Sequence, residues 1–196
     1  MRQILHIVPV AKTFLDNAKT LRRRVAMLGS DQQGASALEF ALFAGILGFG
    51  LLNTADITMY IYKRMQVENA TEMAVQAAWK ACDPSQGFLP ATTSCPGLTT
   101  AITNAVQSTA LGNKVAISGS PTEGYYCLNS SGALQYVSAV TSNPPADCSV
   151  TGLSGQQPAD YIQITTTFSY APLFPGVTVA SAFTTPIVKT GMMRLN

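Results

Sequence analysis

The chain has 196 residues, enough for one modest domain with appendages, and only 11% of them are charged, against about 25% in ordinary soluble proteins. Six basic and two acidic side chains give residues 1–34 a net charge of +4, whereas six basic and eight acidic ones give the remainder −2. A nucleic-acid-binding protein carries its positive charge on the folded domain, so this distribution argues against nucleic acid as a partner.

The first 33 residues are polar and basic, and the cluster Arg22-Arg23-Arg24 stands near their end. Their one apolar patch, residues 4–10, is far too short to span a bilayer. The cluster lies where a membrane-topology signal belongs. We therefore expect this leader to be cytoplasmic.

An apolar segment follows, without a charge between Ala41 and Leu52 and with weaker apolar character up to residue 62. As a helix, residues 35–62 would be about 42 Å long, at 1.5 Å per residue. That length exceeds a hydrocarbon core of about 30 Å and would put Tyr60 and Tyr62 at its outer interface. The segment predicts one membrane-spanning helix.

The same helix is predicted to continue beyond the membrane, because apolar residues recur at spacings of three and four, namely Val67, Ala70, Ala74, Ala77 or Ala78, and Ala81. The residue before a proline is biased away from helix, so the helix should end at about Cys82, ahead of Asp83-Pro84. The expected organisation is a leader over 1–34, a helix over 35–82 that is half in the membrane and half outside it, and an extracytoplasmic domain over 83–196.

After residue 84 the sequence predicts a short helix over 98–111 and strands over 114–118, 125–128, 134–140, 161–170 and about 180–194. The two middle strands flank a turn at residues 129–132, and the last strand should pair back on 161–170. The predicted fold class is α+β, with the long helix packed on a small antiparallel sheet.

Four cysteines, Cys82, Cys95, Cys127 and Cys148, all follow the apolar segment. They contain no CxxC pair, and the only histidine, His6, lies in the leader, so disulfides are favoured over a metal site. Of the three pairings, we favour the two local bonds, Cys82 to Cys95 and Cys127 to Cys148. The alternative, Cys82 with Cys127 or Cys148, would join the helix to the sheet.

The order of signals distinguishes two kinds of export. An ordinary secretory signal is cut after its apolar run, where Asn53-Thr54-Ala55 is a poor match because Asn53 occupies a position that favours a small residue. Here the basic leader ends at Gly34. After four further residues come Glu39 and Phe40, and the apolar run follows directly. That order resembles the substrates of prepilin peptidase, which are cut on the cytoplasmic side and keep the apolar helix.

The segment from Gly34 to Leu42, GASALEFAL, resembles the start of the TadE-like minor pseudopilins of tight-adherence pilus systems. Residues 161–194 resemble the last hairpin of that family, whereas the cysteine-bearing middle carries no motif of it. The resemblance implies a structural subunit that helps to initiate, cap or anchor a filament. It also implies the bacterial inner membrane, with the N-terminus cytoplasmic and the C-terminal domain outside.

The partners that the resemblance implies are prepilin peptidase, other pilins or pseudopilins, inner-membrane assembly-platform proteins and membrane lipid. Gly34 and Ala35 would flank the cleaved bond, and Glu39, with Phe40 beside it, would pair with the new amino group of Ala35 in its own or a neighbouring subunit. A carboxylate in an apolar helix costs about 3 kcal/mol on insertion scales. An ion pair at about 4 Å returns about 4 kcal/mol before desolvation, at an effective dielectric near 20. Alternatively, Glu39 lies solvated among the lipid headgroups.

Three small residues, Ala41, Gly45 and Gly48, fall on one face of the helix, where they would allow close approach of a second membrane helix. The alternative is the ordinary glycine enrichment of membrane helices.

We expect no enzymatic activity and no cofactor. A chain cut after Gly34 would contain no histidine, which excludes Ser-His and Cys-His catalysis. The carboxylates after the leader are expected mainly on a solvated face of the long helix. Two other functions stay open, namely an uncut, membrane-anchored binding domain and a secreted protein cut after Ala55. The first residue of the mature chain distinguishes the three, as Ala35, Met1 or Asp56.

Overall fold

A computed structural model describes residues 32–141 and 143–196 and has the predicted α+β fold. The basic cluster at residues 22–24 and the apolar patch at 4–10 lie outside the described residues. The helices are α1 (Gln32–Ala81), α2 (Ala91–Ser94) and α3 (Leu98–Gln107). The strands are β1 (Val115–Ile117), β2 (Thr122–Leu128), β3 (Leu134–Ala139), β4 (Ala159–Phe168) and β5 (Ile187–Arg194).

The chain divides into two units, with the boundary after Leu51. In the described part of the chain, the first unit consists of the beginning of α1. The second unit runs from Leu52 to Asn196 and contains the rest of α1, the sheet and the shorter helices.

Within the second unit, α1 packs through the predicted stripe of small side chains. Val67, Ala70, Ala74 and Ala78 are completely buried. Small side chains on this face let the helix lie close to the sheet, and the helix ends before Pro84 as predicted. Both the stripe and the end of the helix are therefore confirmed.

Strand β4 is the centre of the sheet. One of its edges pairs antiparallel with the whole length of β5, from Tyr161 opposite Arg194 to Phe168 opposite Ile187. Two strands share the other edge of β4, because β1 pairs with the last residues of β4 and β2 pairs with the first ones. Strand β3 pairs with the free edge of β2. The predicted return of the last strand onto β4 is confirmed.

The inward face of β4 forms the middle of the core, and its side chains alternate as the sequence predicted. Ile162, Ile164 and Thr166 are completely buried. The Thr71 hydroxyl of α1 donates to the Val67 carbonyl at 2.8 Å and lies 2.6 Å from the Thr166 hydroxyl, which is therefore the donor in that second bond. This bond satisfies the hydroxyl group that β4 places between the buried Ile164 and Phe168.

Two predicted elements are markedly shorter than expected, and β1 and β3 are shorter by one or two residues. Helix α3 ends at Gln107 instead of residue 111, and β5 begins at Ile187 instead of about 180. The difference at β5 has a physical reason, because residues 179–182 form a 3-10 turn whose first N–H bonds to the Asn53 side chain of α1. A segment tied to the helix in this way cannot also pair with β4.

Both local disulfides are present, Cys82–Cys95 with 5.5 Å between Cα atoms and Cys127–Cys148 with 5.6 Å. No free cysteine occurs among the described residues. The first bond joins the end of α1 to the residue after α2, and the second closes the segment that contains the β2–β3 hairpin. The structure therefore forms the favoured pairing and does not join the helix to the sheet through cysteine.

The close packing of α1 on β5 yields a prediction at Gly191. A Cβ atom there would lie 3.0 Å from Thr71 Cγ2 and 3.2 Å from Val75 Cγ1. Overpacking of this kind costs roughly 1–3 kcal/mol, so Gly191→Ala should lower the free energy of unfolding by about that amount in a denaturant titration. Adding Thr71→Ser removes the nearest carbon but keeps the hydroxyl, and should relieve part of the loss. Strictly additive effects of the two changes would show that the contact is absent.

Candidate functional site

The first feature with functional potential is the beginning of α1, where large apolar side chains lie exposed all around the helix. Its most apolar window of 18 residues has a mean hydropathy of 1.9 and no buried residue. The exposed side chains are Leu38, Phe40, Leu42, Phe43, Ile46, Leu47, Phe49 and Leu51. Among the described residues, α1 is the one helix that is long and apolar enough to cross a membrane. Such a surface is poorly solvated by water and fits a membrane anchor.

The predicted processing residues lie in the first turns of this helix. Gly34, Ala35, Glu39 and Phe40 are all exposed, and the exposed fraction of Phe40 is 75%. Ala35 and Glu39 are four residues apart and therefore share a face of the helix. Side chains of a helix lean toward its N-terminus, so the Glu39 carboxylate points toward the position where cleavage would create an amino group.

The small residues Ala41, Gly45 and Gly48 lie on one face of the same segment at spacings of four and three. A Cβ atom built on Gly45 or Gly48 would have no heavy atom of this chain within 4 Å. The face is open, and its use for helix packing stays a prediction.

The second feature is the buried carboxylate of Asp56, which has four donors. The Leu173 N–H donates to Oδ1 at 2.7 Å and the Phe174 N–H to Oδ2 at 3.3 Å. The Tyr170 hydroxyl donates to Oδ1 at 3.2 Å, and the Thr178 hydroxyl donates to Oδ2. Within residues 32–141 and 143–196, no cation takes part, and neutral donors compensate the burial of this acid.

Tyr170 is held in its donating form by the same surroundings. Burial, followed by the nearby Asp56 carboxylate, raises the pKa of the Tyr170 hydroxyl to about 12. The ring of Tyr170 packs edge-on against Tyr60 of α1 at 5.1 Å between centroids, and Tyr60 also contacts Phe183 at 4.6 Å. These contacts, together with the bond from the Val179 N–H to Asn53 Oδ1 at 2.9 Å, fasten the β4–β5 connection to α1.

These findings bear on two expectations. The apolar part of α1 was expected to reach residue 62, with Tyr60 and Tyr62 at the outer interface of the membrane. The structure covers one face of this part, where Asp56 is completely buried and Tyr60 packs against Tyr170, and leaves Ile61 and Tyr62 exposed. The helix is therefore bare all around only up to about Leu51. The carboxylates were expected mainly on a solvated face, yet Asp56 and Asp160 are both buried. The signal that would have located the first was the interruption of a charge-free helix by Asn53 and Asp56.

The third feature is a pair of carboxyl groups on neighbouring strands at the opposite end of β4. Glu123 of β2 pairs in register with Ile162, two residues from Asp160 on the same face. Its carboxylate accepts the N–H groups of Ala91 and Thr92, each at 2.7 Å, and so holds α2. Burial, followed by the Glu123 carboxylate, raises the pKa of Asp160 to about 7.

Comparisons of the chain with protein-family models, with curated proteins and with solved structures found no match. A functional interpretation consequently depends on the geometry described above.

The raised pKa of Asp160 makes the stability of the second unit depend on pH. Because the folded pKa lies above the ordinary value near 4, the stability linked to this group is fully present below about pH 4 and is lost as the pH rises through about 7. The full chain in detergent should therefore unfold at lower urea at about pH 8 than at about pH 5, and Asp160→Asn should reduce that difference.

Asp147→Asn is the matched control for this experiment. Hydrogen bonds from Ser149 lower the pKa of Asp147, so that carboxyl group titrates below the tested range. Its variant should keep the pH dependence of the wild type. If Asp160→Asn kept it as well, the titration of the buried Asp160 would not be the cause.

Proposed function

We propose that this chain is a minor pilin-like subunit of the TadE-like kind, which works as a structural part of a tight-adherence pilus and secretion machine. The observation that carries the proposal is the combination at the start of α1. Gly34 and Glu39 have the spacing of a prepilin-peptidase site, and a bare apolar helix begins directly behind them. This helix continues without a break into a unit that carries two disulfides.

In this proposal the exposed part of α1 holds the subunit in the inner membrane and later packs against other subunits. Its eight large exposed apolar side chains suit lipid, and the face with Gly45 and Gly48 suits a neighbouring helix. Glu39 is the only charged side chain between Gly34 and Asp56. Pairing with the amino group of Ala35 would remove its isolation in an apolar environment, within one subunit or between two.

The second unit would be the extracytoplasmic part, which contacts other components. Two disulfides fit an oxidising compartment outside the cytoplasm. Within this unit, the Asp56 cluster attaches the β4–β5 connection to the later part of α1.

An uncut membrane-anchored binding domain is the second candidate, since the bare helix alone supports anchorage equally well. A secreted protein cut after Ala55 is disfavoured by the contacts of α1. That cut would remove Asn53, which accepts the Val179 N–H, and would leave the buried Asp56 as the first residue with a charged amino group.

The mature N-terminus tests these functions directly. The chain produced in cells that contain a prepilin peptidase should begin at Ala35, because Gly34 offers the peptidase a residue without a side chain at the scissile bond. Mass spectrometry of the purified chain measures this. Gly34→Leu should leave the precursor uncut, whereas Gly45→Leu, at an equally open position of the same helix, should be processed normally. A start at Met1 would favour the anchored binding domain, and a start at Asp56 the secreted protein.

A further inference from the structure

The connection between β4 and β5 presents an apolar surface at residues 172–179. Leu173, Phe174, Val177 and Val179 are exposed there, with exposed fractions of 53%, 37%, 52% and 52%. No Asp, Glu, Lys or Arg occurs anywhere from residue 161 to 188. Four exposed apolar side chains within seven uncharged residues are unusual for a loop in water.

The backbone donors of this loop are also fully used within the chain. The N–H groups of Leu173 and Phe174 bond to Asp56, and that of Val179 bonds to Asn53. The Gly176 N–H bonds to the Ser181 hydroxyl oxygen, and those of Val177 and Thr178 bond to the Phe174 carbonyl; residue 175 is a proline without an N–H. Every backbone N–H from residue 173 to 179 therefore has a partner in the protein. A loop in water does not need this, but a loop in lipid does.

The loop is attached to α1 just after the end of the apolar segment of that helix. Asn53 and Asp56 follow directly after Leu52, the last residue of the charge-free apolar segment. Two turns further along α1, Arg64 lines a groove together with Tyr60 and Lys189. Asp56 and Arg64 are about 12 Å apart along the helix axis. This distance is similar to the depth of about 5–10 Å to which apolar side chains enter the bilayer below the lipid headgroups.

We infer that this loop docks on lipid: its four apolar side chains enter the outer headgroup–acyl boundary of the bilayer that holds α1, while Arg64 and Lys189 lie at the level of the phosphates. The inference rests on the proposed membrane anchorage. Lipid is the occupant that the observations favour, because the uncharged sequence, the complete use of backbone donors and the adjacency to the apolar segment all fit a bilayer. A second protein chain as the occupant would require only the uncharged sequence.

Tryptophan fluorescence of the full chain tests the inference. Trp79, the only tryptophan, is replaced by Phe, and Val177→Trp is introduced as the reporter. The protein is reconstituted into vesicles of phosphatidylcholine with a minor share of phosphatidylglycerol, with and without bromine on the upper half of the acyl chains. The expected result is blue-shifted emission and quenching by brominated lipid at least about twofold stronger than at a water-exposed reporter, given the depth stated for interfacial side chains.

Two further reporters in the same background complete the design. Val150→Trp is the water-exposed control, since Val150 has an exposed fraction of 69% and its neighbour Thr151 bonds to Leu128, at the end of the sheet opposite Phe168. Leu42→Trp reports on the proposed anchor.

The outcomes separate the loop from the anchor. If brominated lipid quenches Leu42→Trp but quenches Val177→Trp no more than Val150→Trp, the loop does not dock on lipid. That result overturns the inference and leaves the proposed anchor intact. Blue-shifted emission of Val177→Trp without bromine quenching indicates cover by another protein chain, and also overturns it. If Leu42→Trp is not quenched, the proposed anchorage fails, and quenching of Val177→Trp then still supports contact of the loop with lipid.

Discussion

The burial of the Asp56 carboxylate is the constraint on which the arrangement of the second unit depends. An acid inside a helix that has just been apolar for a dozen residues needs either water or a full set of donors. The chain supplies donors from one short stretch, Tyr170 to Thr178, and thereby fixes where the β4–β5 connection must run. From this point on, the face of α1 that carries Asp56 is covered by that connection, whereas Ile61 and Tyr62 stay exposed elsewhere on the helix.

A second constraint acts at the other end of β4. There the Glu123 carboxylate holds the N–H groups of Ala91 and Thr92, the Cys82–Cys95 bond closes the same region onto the end of α1, and Asp160 is buried beside it. The β4–β5 connection is thus fastened to α1 by hydrogen bonds at one end. At the other end the sheet holds α2 by hydrogen bonds, and a disulfide joins the residue after α2 to the end of α1. Close apolar packing lies between the two ends. Such an arrangement suits a subunit whose work is mechanical, since the helix cannot shift along the sheet without breaking contacts at both ends together.

The sequence was sufficient for the elements with a clear period. The stripe from Val67 to Ala78, the alternation of β4 and the stop before Pro84 each follow from local rules, and the structure has all three. The local disulfides were also predictable, because each closes a segment without long regular elements. The Gly34–Glu39 spacing carries a function only through a resemblance, and its use stays a prediction.

The contacts that position the loop could not be predicted, because they join residues more than a hundred positions apart. Nothing near Asp56 in the sequence indicates that the N–H groups of Leu173 and Phe174 will reach it. The same holds for Asp160 and Glu123, whose proximity depends on the register between β2 and β4. The residues that follow the loop, from about 180, resemble the start of a strand in the sequence, and the bond of the Val179 N–H to Asn53 of α1 holds them in a 3-10 turn instead.

Hydrogen exchange of the Leu173 and Phe174 amides in the full chain in detergent tests the role of Asp56 most directly. Both amides should be protected in the wild type, although their side chains are exposed. In Asp56→Asn, where an amide donor replaces one carboxylate oxygen, their exchange should accelerate about tenfold or more, while amides in the middle of β4 keep their rates. Fast exchange of both amides in the wild type, or rates unchanged by Asp56→Asn, would contradict the claim that this carboxylate holds the connection on the helix.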